Sequence, residues 1–346
     1  MDTRDVNWVD YIRVVASFLV VLVHTCSSTV TQYNVIPIVD WQIGNLYASL
    51  SRVAVPLFFM LSGYLLLGKV EPLQDILLKR VRRIIVPLIA WSVFYMYWGS
   101  WNTGLDQIII EHWIKVIVAP VHFHLWFLYA LLGLYLCLPI LRLIVRCADK
   151  NLLYYVLILW FISVSGLPFL EKVLGASSEI DLALTSGYMG YLILGYLLGN
   201  LLLTRKIFYF AVLSLFLLLV ATATGAYMFT LGDDGVLNRY FYNYLSPNVI
   251  LMAISSFVVL RYFFTQPEKE GGSHNLIKHL SSASFGIYLV HVVFLDVLYN
   301  GYLGFVLSPA SFSVAYSLPI TAMVIFLLSY LQVSLFKKIP LLRDIV

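Results

Sequence analysis

The stretch DYIRVVASFLVVLVHT, residues 10–25, decides the fold class of this chain. An almost unbroken apolar run extends from Val14 to Val23, and no small-residue cleavage site follows it. A cleaved signal peptide would need such a site, so we interpret the run as the first of several transmembrane helices. Its charged and polar residues, Asp10, Arg13 and His24, are therefore placed in or beside a membrane.

The rest of the chain repeats this pattern. Hydrophobic residues make up 61% of the 346 residues and charged residues only 12%, about half the share of an ordinary soluble domain. Apolar segments near the length that spans a bilayer predict about ten transmembrane helices, at 12–30, 45–67, 84–101, 124–145, 152–170, 184–203, 207–229, 244–264, 283–303 and 311–335. We predict an all-α, polytopic membrane protein with one domain over 1–346 and no soluble domain.

The basic residues predict how these helices cross the membrane. All but four of the 22 Lys and Arg residues lie at the N-terminus, the C-terminus or in alternate loops on the same side; the exceptions are Arg52, Lys115, Lys172 and Arg239. Cytoplasmic loops are enriched in Lys and Arg. The predicted topology therefore has both termini in the cytoplasm.

Helix 1 carries a polar stripe that predicts a functional site. Asp10, Arg13, Ser17 and His24 share one face at helical spacing. Ionisable groups inside a membrane are costly, so each requires a partner or a water-filled cavity. Arg13 and His24 are separated by eleven residues, about 16 Å along a helix. Packing of a lone buried histidine is the alternative, but an arginine on the same face favours function.

A second candidate is the basic cluster KRVRR, residues 79–83, at the predicted cytoplasmic surface. Arg80, Arg82 and Arg83 could clamp phosphate groups, because guanidinium groups bind phosphate oxygens in a bidentate way. The positive-inside topology explains such a cluster equally well. Both interpretations stay open at this point.

Further polar and aromatic residues lie where a site could be completed. Ser62 precedes Gly63 in helix 2, where close packing is the simpler explanation. Tyr288 and His291 share a face of helix 9, at membrane depth. His124, Trp126 and Trp113 lie near the predicted outer surface, where they would form either an interfacial aromatic belt or a platform for sugar rings.

The sequence contains no motif for a metal or a nucleotide. His122 and His124 are two residues apart and are predicted to point to different sides of a helix, so we expect no metal site. No phosphate-binding glycine loop or dinucleotide fingerprint is present, and nothing indicates nucleic-acid binding.

Five motifs in order resemble acyltransferase family 3, a family of membrane O-acyltransferases. They are Arg13-x10-His24, the run RVAVPLFFMLSGY from Arg52 to Tyr64, Arg80-x-x-Arg83 followed by Pro87, HLWFL from His124 to Leu128, and SFGIYLVH from Ser284 to His291. The resemblance implies a bacterial inner-membrane enzyme with acyl-CoA, most simply acetyl-CoA, as cosubstrate and no permanently bound cofactor. It implies a glycan or lipid-linked saccharide as acceptor, within surrounding membrane lipids.

The chemistry of acyl transfer assigns roles to these residues. A base must remove the acceptor's hydroxyl proton, and the imidazole of His24 suits that step, with Arg13 below it. Whether His24 activates the hydroxyl or itself carries the acyl group stays open. Arg80, Arg82 and Arg83 would bind the donor, and Asp10, Ser17, Ser62, Tyr288 and His291 would support the site.

Two other function classes fit the same composition. A transporter or flippase for a lipid-linked sugar would also need many helices, buried charge and outer aromatic residues. Paired broken helices in an inverted repeat would favour it, and the sequence shows none. A non-catalytic membrane subunit of a polysaccharide synthase complex is the third hypothesis.

Overall fold

The computed structural model describes residues 7–100, 119–174, 187–265 and 273–346. Every regular element in these ranges is helical. The main helices are α1 (Asn7–Val30), α2 (Ile38–Ser51), α3 (Ala54–Leu66), α4 (Arg82–Ser100), α5 (Trp126–Cys147), α6 (Lys150–Phe161), α7 (Leu167–Leu174), α8 (Met189–Gly199), α9 (Arg205–Gly232), α10 (Pro247–Thr265), α11 (Ser273–Tyr299) and α12 (Val314–Phe336).

The described helices confirm an all-α membrane protein that crosses the bilayer several times. Eight segments within the described ranges are long and apolar enough to span a membrane; α2 with α3, and α6 with α7, each form one of them. The helices α4 and α8 lie at the positions of the two remaining predicted spans. The total of ten, the orientation of the termini and the single-domain organisation stay predictions.

Helix α1 occupies the centre of the bundle. It packs against α2, α3, α10, α11 and α12, and side chains on all of its faces, among them Ile12, Ala16 and Val21, are fully buried. Apart from the polar stripe, its residues are mostly apolar, as expected of a helix buried among several others. By contrast, α9 is exposed along most of its length, including Phe210 and Phe216. A surface of this kind is stable against lipid.

The second predicted span, 45–67, is two helices and begins earlier than the sequence suggested. Helix α2 begins at Ile38 and ends at Ser51, and α3 begins at Ala54. Pro56 explains the break: it has no N–H to donate, and its ring clashes with the carbonyl of the residue four positions earlier, Arg52. The break places Arg52 at the end of α2, beside the central helix.

Two glycines allow α3 and α8 to approach each other closely. A Cβ added at Gly63 would overlap the backbone of Leu192, and one added at Gly195 would overlap the backbone of Met60. Backbone contacts of this kind require small residues at both crossing points. The packing explanation of Gly63 is therefore correct, and Gly195 serves the same contact from α8. The contact with α8 holds α3 in place as one wall of the site.

Candidate functional site

One cavity of about 510 Å³ passes beside the central helix. Its volume lies within the usual range of small-molecule sites. At one end, which we call the basic end, it is lined by Lys69, Arg80 and Arg83, and Lys69 and Arg83 are exposed. At the other end, the aromatic end, it is lined by Trp126 and Tyr244. Arg13 and His24 line the same cavity between them.

Arg13 is fixed near the basic end by a small network. Its guanidinium donates to Ser281 Oγ at 3.0 Å and contacts Asp10 Oδ1 at 3.4 Å. Ser281 in turn donates to Asp10 Oδ1 at 2.5 Å. The network joins α1 to α11 and pairs the guanidinium of Arg13 with the partly exposed carboxylate of Asp10. Arg13 is therefore held in place at the cavity wall.

A carboxylate outside the cavity orients the basic end. Glu71 accepts hydrogen bonds from Arg80, at 2.7 Å from Nε, and from Arg142 Nη2 at 3.1 Å. Arg142 also donates to the carbonyl of Leu66 at 2.9 Å. The hydrogen bonds from Arg80, opposed by partial burial and aided by Arg142, lower the pKa of Glu71 to about 2. Glu71 therefore stays ionised and ties the helical turn that carries Arg80 to Arg142 on α5.

His24 presents its imidazole to the middle of the cavity. The ring lies 5.0 Å from the Phe123 ring and 5.2 Å from the His291 ring, measured between centroids. Within the described residues, no protein group forms a hydrogen bond with the His24 side chain. Its nitrogens are therefore available to a group that enters the cavity.

The neighbouring histidines differ from His24 because each is engaged by the protein through Nδ1. His291 Nδ1 donates to the carbonyl of Tyr288 at 2.7 Å, and Tyr288 donates to the carbonyl of His124 at 2.6 Å. The Nδ1 atoms of His122 and His124 lie 2.9 Å apart. The prediction that these two rings point to different sides was wrong, because His122 is in extended backbone just before the helix.

The aromatic end is built from stacked rings of three segments. Trp126 at the start of α5 stacks on Tyr244, with centroids 5.6 Å apart and planes at 24°. Tyr188 lies 5.7 Å from the same indole. The rings provide flat, amphipathic surfaces beside the cavity.

The structure brings most of the predicted site residues to one cavity but not all of them. Those that line it are Arg13, His24, Ser62, Arg80, Arg83, His124, Trp126 and Tyr288. Ser17 lies on α1 but is buried and donates to the carbonyl of Arg13 at 2.8 Å instead. Arg82 is exposed, and it and His291 are not part of the lining. Trp113 lies outside the described residues.

Sequence reasoning missed several residues of the site. Tyr135, Ser281 and Ser282 line the cavity, and Glu71 with Arg142 fixes its basic end. Arg142 was counted only as a topology signal, although it is 4% exposed. The sequence did offer one signal, because Arg142 lies among apolar residues near the end of a predicted helix. Among the described residues, no group of three or more His, Cys, Asp or Glu side chains is arranged to hold a metal ion.

The chain belongs to acyltransferase family 3. A family model described as an acyltransferase domain matches residues 6–334, nearly the whole chain. This match defines a membrane acyltransferase, and the cavity with Arg13 and His24 lies within the matched residues. No curated protein and no solved structure matches the chain.

Proposed function

We propose that this protein is an O-acyltransferase that moves an acyl group, most simply acetyl, from acyl-CoA to a hydroxyl of a cell-surface glycan or lipid-linked saccharide. The observation that carries the proposal is that one cavity contains both the basic end and the free imidazole of His24. The reaction needs a site that binds a polyanionic donor and a group that accepts a proton, and this cavity offers both. No permanently bound cofactor is needed.

The basic end suits the phosphates of CoA. Arg80 and Arg83 line it, Lys69 lies beside them, and none of the described residues that line the cavity is an Asp or Glu. From Arg13 to His24 the distance along α1 is about 16 Å, which matches a long, thin pantetheine arm. The thioester would then reach the imidazole. The exposed Arg82 would attract the donor from outside the cavity.

The reaction at His24 follows from thioester chemistry. The imidazole removes the proton of the acceptor hydroxyl, and the oxygen attacks the thioester carbonyl. The carbon–sulfur bond breaks, and the imidazolium returns the proton to the departing CoA thiolate. The alternative in which His24 first carries the acyl group uses the same position. In both cases Tyr288 and His291 help to orient the neighbouring backbone.

The acceptor and the location are proposed on the same basis. The aromatic end, with His124 and Trp126, offers rings on which a sugar could stack. The five motifs also resemble those of the enzyme that acetylates enterobacterial common antigen, which favours acetyl as the acyl group and the bacterial inner membrane as the location. Predicted topology places the basic end at the cytoplasm, where acyl-CoA is made.

The direct test is transfer of label. Purified protein in lipid nanodiscs is incubated with radiolabelled acetyl-CoA and a panel of bacterial glycans and lipid-linked saccharides. We expect base-labile label in saccharide and equimolar release of CoA. Absence of label with every acceptor and every acyl-CoA chain length, from folded protein, would refute the proposed function.

A further inference from the structure

A second pocket adjoins the aromatic end of the cavity. Its volume is about 300 Å³, and it shares Trp126 and Tyr244 with the main cavity. We call it the outer pocket, and its remaining lining includes Arg52, Tyr188, Arg239 and Tyr242. The two pockets therefore adjoin along a shared aromatic wall, and His24 lines the inner one.

The outer pocket contains an unusual concentration of positive charge. Arg52 and Arg239 are two of only four basic residues that the predicted topology places on the outer side of the membrane. Cations are depleted on that side, so topology does not explain their presence together. No Asp or Glu is among the described residues of the lining.

Both guanidinium groups are available to a ligand. Within the described ranges, neither Arg52 nor Arg239 forms an ion pair with a carboxylate. Arg52 Nε is buried and has no hydrogen-bond partner there. A buried, unsatisfied guanidinium nitrogen is costly, which indicates a site completed by something else.

The protein holds Arg52 in position without neutralising it. Its guanidinium lies over the Tyr242 ring, 4.4 Å from the centroid, and Tyr242 is itself fixed by donating to Asn45 Oδ1 at 2.5 Å. A cation–π contact orients the planar group but leaves its N–H groups free. The free N–H groups suit a carboxylate or phosphate oxygen.

We infer that the outer pocket binds an anionic group of the acceptor saccharide, a carboxylate or a phosphate, while the neighbouring sugar ring stacks on Trp126 and Tyr244. This inference rests on the proposed function and narrows the acceptor to acidic or phosphorylated saccharides. Arg52 and Arg239 select the charge, and the shared aromatic wall directs the next sugar's hydroxyl toward His24.

The test measures binding without acyl donor, so that it is independent of catalysis. The full chain in nanodiscs is titrated with two matched pairs of probes: a glucuronyl-N-acetylglucosamine disaccharide and its methyl ester, and N-acetylglucosamine 1-phosphate and N-acetylglucosamine. We expect the anionic member of at least one pair to bind about tenfold more tightly, the effect of one charge-assisted hydrogen bond. Which pair shows the preference identifies the anion.

Variants connect that preference to the two arginines. Arg239→Gln and Arg52→Gln should abolish most of it, whereas Lys172→Gln, which changes another basic residue of the predicted outer side, should retain it. Arg239 is exposed, so its replacement tests the inference even if Arg52→Gln fails to fold.

Equal affinity within both pairs, or an unchanged preference in Arg239→Gln, would overturn the inference. If phosphatidylglycerol displaces the saccharide probes and the protein shows no preference for the anionic ones, the pocket is a lipid site, and the inference is overturned as well. If the preference is found but no acyl transfer occurs, the proposed function fails and the anion site stands.

Discussion

At the scale of single residues, hydrogen bonding distinguishes His24 from the histidines around it. His291 is bonded to a backbone carbonyl, and His122 and His124 contact each other through Nδ1. The His24 imidazole faces the cavity without such a bond to a described residue. A ring that must exchange a proton with a substrate needs this freedom.

Replacing His24 tests this assignment. We expect His24→Ala to lower acyl transfer at least about 100-fold, the usual contribution of a general base, with normal membrane insertion and elution as a single species. The matched control is His279→Ala, since His279 is exposed on α11 and outside the cavity. A folded His24→Ala protein with substantial activity would remove the imidazole from the mechanism.

Glu71 provides a residue-scale prediction for stability. Glu71→Gln should lower the thermal midpoint of unfolding, because it leaves the buried Arg142 without its carboxylate; the expected cost is about 1–3 kcal/mol. Asp75→Asn, which removes an exposed ion pair with Lys79, is the control and should change little.

The pKa of Glu71 gives this effect a pH dependence. A carboxyl whose folded-state pKa is lowered to about 2 stabilises the fold fully above its unfolded value of about 4.5, and that stabilisation is lost as the pH falls toward 2. The difference in free energy of unfolding between the unsubstituted protein and Glu71→Gln should thus be constant from pH 7 to about pH 5.5. It should narrow below about pH 4.5. A difference that widens in acid would contradict the ion pair.

At the scale of elements, the sequence predicted helices well and their ends less well. Long apolar segments identify spans directly, and α12, predicted at 311–335, is observed at Val314–Phe336. The start of α2 was missed because residues 38–44 contain polar groups, among them Asp40 and Gln42, that lower their hydropathy. Pro56 is visible in the sequence, but the backbone was needed to show that the break lies four residues earlier, at Arg52.

The contact between α3 and α8 can be tested at its crossing point. Gly63→Ala should destabilise the protein by about 1–3 kcal/mol or more, because its Cβ would overlap the backbone of Leu192 and the helices would have to separate. Gly133→Ala is the control, since nothing lies within 4 Å of a Cβ there. Equal thermal midpoints for the two variants would contradict this packing.

At the scale of the whole molecule, the cavity unites residues that are far apart in sequence. The stripe on α1 was predicted from helical periodicity, and the cluster at 79–83 was predicted from its run of arginines. The sequence could not show that Arg83 faces the cavity and Arg82 does not, because the π-helical turn Ile76–Val81 changes the register just before them. Long-range contacts, such as Arg13 with Ser281, had no local signal either.

Donor binding should depend on the basic end as a unit. Arg80→Ala and Arg83→Ala are expected to weaken acetyl-CoA binding about tenfold each at low salt, and less at high salt because exposed charges are screened. Arg146→Ala, an exposed arginine outside the cavity, is the control, with affinity measured by equilibrium titration. Equal acetyl-CoA affinities of all three variants would mean that the cluster does not bind the donor and reflects only the positive-inside topology.

The central claim is that acyl-CoA enters at the basic end and reaches His24 through one cavity. The most direct measurement is a cryo-electron microscopy structure of the full chain in nanodiscs with a non-hydrolysable acetyl-CoA analogue. We predict phosphate density at Arg80 and Arg83 and a carbonyl carbon within about 6 Å of the His24 imidazole, which leaves room for one hydroxyl oxygen between them. An analogue bound elsewhere, or one with its carbonyl more than about 10 Å from His24, could not react there and would contradict the claim.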